Sequence, residues 1–329
     1  MHGRRTLRRA RCALVLGGWL ACSAACASSD ELGALVPPTA DEDPALPRVQ
    51  VTIGGHARWL HLETLGEGGR PVVLILPGGP GSDYRLLRDA LAPLADEHLL
   101  VFWDQHGGGL SERVSRPSQL TPDSFDEEIA AVHVLVAPGE KVTLIGHSYG
   151  AEIALRYTAL HPEAVERLVL IEPGPVNDFA RDHRPTSFVG LDVFESLFWD
   201  NEVMTAQDHA RADYRLLGVL RRGSRSFYCA SQEPVEVPSW RFGAYAFEVV
   251  QREEGSTDYA RGIEAFAPRV LLIAGTCGDL QTSFQQAYNL PALPRADLVR
   301  IEGAGHFTLF LDYAPQTLAA IRAYLAEAP

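Results

Sequence analysis

The sequence predicts an α/β fold built on a mostly parallel sheet of eight strands, and three observations carry that expectation. Short apolar, β-rich runs recur at Val49–Ile53, Arg58–Leu62, Val72–Leu76, Leu99–Trp103, Val142–Ile145, Leu168–Ile171, Val270–Ala274 and Asp297–Ile301. Several are continuous rather than alternating, as strands covered on both faces should be. Helical patterns fall between and after them, which places helices on the faces of the sheet.

The first 27 residues stand apart from this rhythm. Arg4, Arg5, Arg8, Arg9 and Arg11 precede a short apolar stretch, Cys12–Ala21, and then small residues. A basic start, a short apolar centre and a small-residue zone describe an export signal, and the apolar stretch is shorter than the roughly 18 residues that span a bilayer. Ala25-Cys26-Ala27 fits a cleavage site. Cys22 and Cys26 open a lipoprotein alternative, with lipid on one of them anchoring the protein to a membrane. A retained N-terminal helix is the third reading. The protein is therefore expected to be exported: periplasmic, extracellular or membrane-anchored. Residues 28–48, with Pro37-Pro38 and the acidic Asp41-Glu42-Asp43, lack periodicity and are expected to be a linker.

Along the rest of the chain, helices are expected at Asp83–Leu94, Ser124–Val134, Ala151–Leu160 and Ala314–Leu325. Ser124 and Glu127 have the spacing of a capping box, and His161-Pro162 is a natural stop. From 175 to 266 no strand run is evident, and helical patches occur at Phe188–Trp199, Ala206–Leu220 and Tyr245–Arg252. A structureless loop of that length is implausible in a compact domain. The stretch reads as a helical cap inserted into a core formed by 49–174 and 267–329.

Chemistry enters at Gly146-His147-Ser148-Tyr149-Gly150, a G-x-S-x-G between a strand and a helix. That junction presents a serine hydroxyl on a sharp turn, with a helix N-terminus behind it that favours developing negative charge. A serine needs a base to take its proton. In the chain order of this motif the acid and then the histidine follow the serine, and His306 lies in a small-residue loop after the last strand. Asp279, beyond Val270–Ala274, is the expected acid that orients His306; Glu172, beyond Leu168–Ile171, is the second candidate. The oxyanion donors are expected from the backbones of Tyr149 and Gly79, the latter in Pro77-Gly78-Gly79-Pro80-Gly81 after Val72–Leu76. His106-Gly107-Gly108-Gly109 follows a different strand, so it is not expected to supply that donor, although His106 is a candidate for the pocket wall.

Together these segments resemble the α/β-hydrolase superfamily, and within it the proline iminopeptidase-like serine peptidases. Pro77–Gly81 resembles that group's H-G-G-P-G loop, Trp103–Ser111 its D-Q-R-G-x-G-x-S segment, and Gly146–Gly150 its elbow. The resemblance implies Ser148, Asp279 and His306 as the triad. It further implies acidic cap residues that bind a substrate amino group, with Glu248, Glu253 and Glu254 as candidates. Pro77 stands where the group has His, and His106 where it has Arg. The function expected is an exported serine hydrolase acting through an acyl-enzyme, an aminopeptidase of proline iminopeptidase type. A carboxylesterase or lactonase, or a non-catalytic binding protein on the same scaffold, are the alternatives.

Composition narrows the partners. The chain has 29 Lys+Arg and 42 Asp+Glu, a net charge of −13. Losing the five arginines of the first 27 residues takes it to −18. Such acidity excludes a nucleic-acid binder and leaves a small-molecule or short peptide substrate. No metal-spaced cluster or H-E-x-x-H pair calls for a cofactor. Cys229 and Cys277 remain in the mature chain; they form either one disulfide or two separate thiols, and spacing does not choose.

Overall fold

The computed structural model describes residues 36–184, 209–220, 225–253 and 257–327. The export signal, Cys22, Cys26, Phe188–Trp199, Glu254 and the side chain of Glu253 lie outside the described residues. Eight strands form one sheet: β1 (Arg48–Ile53), β2 (His56–Leu65), β3 (Val72–Leu76), β4 (Leu99–Trp103), β5 (Val142–His147), β6 (Val165–Ile171), β7 (Val270–Gly275) and β8 (Ala296–Ile301). Their order is β1-β2-β4-β3-β5-β6-β7-β8. β1–β2 and β2–β4 are antiparallel, and every other pairing is parallel.

The period of two in a strand divides the core into two layers. On β3, Val72, Leu74 and Leu76 face α2 (Pro122–Val136) and α3 (Tyr149–Leu160) through Phe125, Ile129, Val132, Ile153 and Leu155. Val73 and Ile75 face the other side, where Leu86, Leu87 and Leu91 of α1 (Arg85–Leu91) pack with Ile321 and Tyr324 of the C-terminal helix (Ala314–Ala326). Both faces are covered, which explains the unbroken apolar runs.

Three local expectations change. α2 starts at Pro122, one turn earlier than its pattern suggests, because Thr121 caps it: the Thr121 hydroxyl accepts from Ser124 N–H at 3.2 Å, and Ser124 Oγ accepts from Thr121 N–H at 3.0 Å. The helix expected over Asp83–Leu94 is α1 followed by a 3₁₀ turn, with Pro93 near the junction. The expected linker is packed from Val36 onward: Val36, Thr39 and Ala40 are buried, and Ala40 N–H donates to Leu110 O at 2.7 Å. Local bonds such as Thr39 N–H to Glu42 Oε2 at 2.9 Å hold a turn that has no periodicity to read.

Between β6 and β7 the described residues are helical or irregular. They include α4 (Asp178–Asp182), α5 (His209–Leu220) and α6 (Ala244–Glu253). The C-terminal helix is accordingly α7. Tyr245, Ala246, Val249 and Val250 of α6 join the apolar layer of the sheet, so this insertion shares the main core. Fully buried Asp213 of α5 ties it down: Arg113 donates from Nε (3.0 Å) and Nη2 (2.9 Å), Arg241 from Nε (2.7 Å) and Ala244 from N–H (2.8 Å). Arg241 Nη1 also donates to Pro37 O at 2.7 Å, which locks the N-terminal segment to the same point. Removing one partner of such a cluster leaves buried charge uncompensated. Asp213→Ala is expected to destabilise the protein by about 3–5 kcal/mol, read from the midpoint of urea unfolding.

Candidate active site

Ser148 ends β5 and starts α3 with φ 54 and ψ −126, and Glu172 follows β6 with φ 42. These are the non-glycine residues of positive φ among the described residues. Such conformations persist only where surrounding structure imposes them, and they mark functional turns. At Ser148 the imposition is close packing: a Cβ on Gly146 would collide with Gly150 O and Ala151, and one on Gly78 would lie 2.8 Å from Ser148 Cβ.

His306 lies in the loop after β8, buried, with Nδ1 2.8 Å from Glu172 Oε2. The other carboxylate oxygen, Oε1, accepts Gly275 N–H at 2.7 Å. The carboxylate at His306 is therefore Glu172, the second candidate, in place of Asp279. β6 lies between β5 and β7, so its end points between the Ser148 turn and the His306 loop. Asp279 is only half-buried, and its N–H donates to Ser226 O at 2.7 Å. Burial pushes Glu172 up to about 8, against the pull of the Gly275 N–H, and pushes His306 down to about 3.

Ser148, His306, Gly78 and Gly79 border one pocket, with Ser82, Asp83, Ser239 and His147 as its other polar residues. The remaining wall is apolar, from Leu86, Leu87, Leu217, Phe227, Val237, Pro238, Phe242, Phe247, Phe307 and Pro77. Asp83 is its one carboxylate among the described residues, and it is fully engaged. Oδ1 accepts Arg85 N–H (3.0 Å); Oδ2 accepts Ser239 Oγ (2.6 Å), Trp240 N–H (2.6 Å) and Arg241 N–H (3.0 Å). Burial, followed by repulsion from Asp104, pushes Asp83 up to about 6. His147 lies against His306, ring centroids 4.3 Å apart; burial and the neighbouring imidazole hold it well below the ordinary histidine value.

The proposed pocket role of His106 is not what the structure has. Its Nδ1 lies 2.6 Å from Glu128 Oε2 and its Nε2 2.7 Å from Gln119 O, a buried position behind the pocket. Glu128 also accepts His106 N–H (2.7 Å) and Trp103 Nε1–H (2.8 Å). The following glycines support the Pro77–Gly81 loop from behind: Gly109 N–H donates to Gly81 O at 3.1 Å, as does Gly243 N–H of the insertion at 2.8 Å. A Cβ on Gly108 would lie 2.9 Å from Gly81 Cα. Gln105 Nε2–H donates to Pro77 O at 3.0 Å. Glu248 is buried on α6 and paired with Arg252, away from the lining of this pocket. The residues that sequence reasoning missed are Asp83, Phe227 and Ser239; positive φ at Glu172 has no sequence signal.

A family model described as the alpha/beta hydrolase fold matches residues 71–313. The chain belongs to this family. A proline iminopeptidase of Heyndrickxia coagulans is 34% identical over 121 residues, 36% of this chain and 40% of that protein. The chain thus matches less than half the length of that relative. A 2-hydroxymuconate semialdehyde hydrolase of Pseudomonas sp. strain CF600 is 25% identical over 274 residues, 79% of this chain and 88% of that one. The enol-lactonase of Burkholderia xenovorans LB400 shares the fold with TM-score 0.62 at 17% identity, covering 85% of this chain and 100% of its own. The α/β hydrolase therefore carries a hydrolase scaffold whose pocket is bordered by Ser148 and His306, with Glu172 held against His306 from outside its lining. Glu172→Gln is expected to lower kcat on the order of 10³–10⁴-fold, as loss of the histidine-orienting carboxylate does. Asp279→Asn should stay within about tenfold, steady-state rates on one substrate comparing the two.

Proposed function

We propose that this α/β hydrolase is a serine hydrolase that works through an acyl-enzyme on uncharged, apolar acyl esters or lactones. Ser148 Oγ attacks the carbonyl carbon as its proton passes to His306 Nε2. Glu172 holds Nδ1–H and balances the imidazolium that forms. The backbone N–H groups of Gly79 and Tyr149 donate to the oxyanion. Collapse breaks the bond to the leaving oxygen, which takes the proton from His306, and water then repeats the sequence on the acyl-enzyme.

The observation that carries the substrate class is the pocket wall. Its one carboxylate among the described residues, Asp83, already receives four donors. Among the described residues the rest of the wall is mostly apolar, so an α-ammonium group would find there no carboxylate besides the one that Asp83 commits to Arg85, Ser239, Trp240 and Arg241. The second reading is the aminopeptidase, supported by the Pro77–Gly81 loop and the proline iminopeptidase relative. The Cys229–Cys277 disulfide supports export, because such bridges persist in oxidising compartments.

Ser148→Ala is expected to abolish labelling by a fluorophosphonate and to reduce turnover on the order of 10⁴-fold or more. Short-chain p-nitrophenyl esters should exceed prolyl and alanyl p-nitroanilides by about 100-fold or more in kcat/KM. The opposite preference assigns the aminopeptidase. The pH profile follows from the buried pair. While Glu172 and His306 share one proton in the neutral form, the acid donates to Nδ1, Nε2 carries the hydrogen, and the ring cannot act as base. Loss of the Nε2 hydrogen, with the carboxyl proton passing to Nδ1, gives carboxylate, Nδ1–H and a free Nε2. With Glu172 pushed up to about 8, kcat/KM should rise with pH through a midpoint near 8. Initial rates at low substrate across the alkaline range check it; a limb at the ordinary histidine value contradicts it.

A further inference from the structure

The segment of the insertion at 225–229 has a role that the triad chemistry leaves unassigned. Its backbone runs across two loops at once. Ser226 O accepts Asp279 N–H at 2.7 Å, and Phe227 O accepts His306 N–H at 2.9 Å. The approach is close enough to require glycine on both loops: a Cβ on Gly278 would lie 2.7 Å from Ser226 O, and one on Gly305 would collide with Phe227 O. The Phe227 ring stacks on the His306 imidazole, centroids 5.0 Å apart and planes 22° apart, and the same ring lines the pocket. The segment ends at Cys229, disulfide-bonded to Cys277 in the loop after β7 with Cα atoms 4.6 Å apart. Cys277 N–H in turn donates to Ala304 O at 3.0 Å, two residues before His306. Gln232 closes the arrangement, with Nε2–H on Gly303 O at 3.1 Å.

We propose that Phe227 is a positioning residue for His306, and that the Cys229–Cys277 bridge is the staple that keeps it against the imidazole. The proposal rests on the reading of His306 as the base. The Glu172 carboxylate meets that ring at Nδ1, the Phe227 face stacks on it, and His147 and the edge-on Phe307 pack beside it. The hydrogen bond fixes one atom, and the stack limits rotation of the ring about it. The aromatic face also attracts the cation that His306 becomes during proton transfer, so its contribution is larger in the transition state than in the resting enzyme. The loops after β7 and β8 are joined to the insertion here by backbone bonds, the disulfide, Gln232 and the packing of Phe227 and Tyr228 on His306 and Phe307. Reduction by a dithiol, which closes to its own cyclic disulfide, turns the bridge into two thiols and leaves the segment free to shift.

The test separates positioning from stability. In Phe227→Leu, with the disulfide intact, kcat should fall about tenfold while KM changes less than about threefold. Phe227→Tyr should restore most of the loss. The Cys229→Ser/Cys277→Ser double variant and dithiol-treated wild type should show the same kcat-weighted loss at temperatures where circular dichroism shows each folded. Dithiol should leave the double variant unaffected. Unchanged kcat in Phe227→Leu, or a loss confined to thermal midpoint with native kcat below it, overturns the proposal. Ser148→Ala run in parallel keeps the two readings apart: if it retains turnover, the serine mechanism fails, whatever Phe227 does.

Discussion

The hydrogen bond between Glu172 and His306 is the constraint on which the rest of the site depends. A carboxylate with no exposure to water is costly to ionise, and here it has two partners to offset that cost, the imidazole and one backbone N–H. The chain also takes a positive φ at Glu172, which a residue with a side chain adopts only under compulsion. The compulsion comes from topology: β5, β6 and β7 are parallel neighbours, so the turns after them crowd at one edge. Once the acid is supplied from β6, the loop after β7 is released from orienting the histidine. In this chain that loop carries Cys277 and meets the 225–229 segment instead.

Buried carboxylates recur around the pocket, and the contrast among them is informative. Asp213, Asp104, Glu128 and Asp83 each collect three or more donors and fasten one segment to another. Asp104 joins Tyr84 N–H, Leu110 N–H and His61. These carboxylates act as fasteners between segments that lie apart in the chain. Glu172 has fewer donors and one titratable partner. It is the member of the set that meets the His306 imidazole beside the pocket, in surroundings held by the fasteners.

Much of the fold was legible because its signals are local. All eight strand runs carry their own apolar signature, and the Ser148 turn and His306 loop are marked by adjacent glycines. What was not legible depends on which distant segments meet. Asp279 and Glu172 both follow a strand, and only the course of the His306 loop selects between them. His106 looks like a pocket residue until Glu128, 22 positions away, is found holding it. Asp83 reads as the start of a helix, yet three of its four partners lie more than 150 positions along the chain. The stretch from Val36 looks like a tether because a strap held by Arg241 and Leu110 needs no periodicity.

The insertion explains why a strongly acidic protein can present an apolar pocket. Acidic side chains on the surface are solvated and screened over a Debye length of about 8 Å at physiological ionic strength. The pocket wall is instead set by Phe227, Phe242 and Phe247, which pack with Leu216 and Tyr228 into a cluster of their own. That cluster meets the main core through α6, whose neighbouring residues Tyr245 and Ala246 face the sheet layer. One helix thus serves two apolar layers, and the pocket lies where they diverge. Its electrostatics follow from the few buried groups at that seam, Asp83 and the Glu172–His306 pair, rather than from the net charge of the chain. Selectivity between a neutral acyl group and an ammonium group is accordingly decided by whether those groups have acceptor capacity to spare, and Asp83 already accepts four hydrogen bonds.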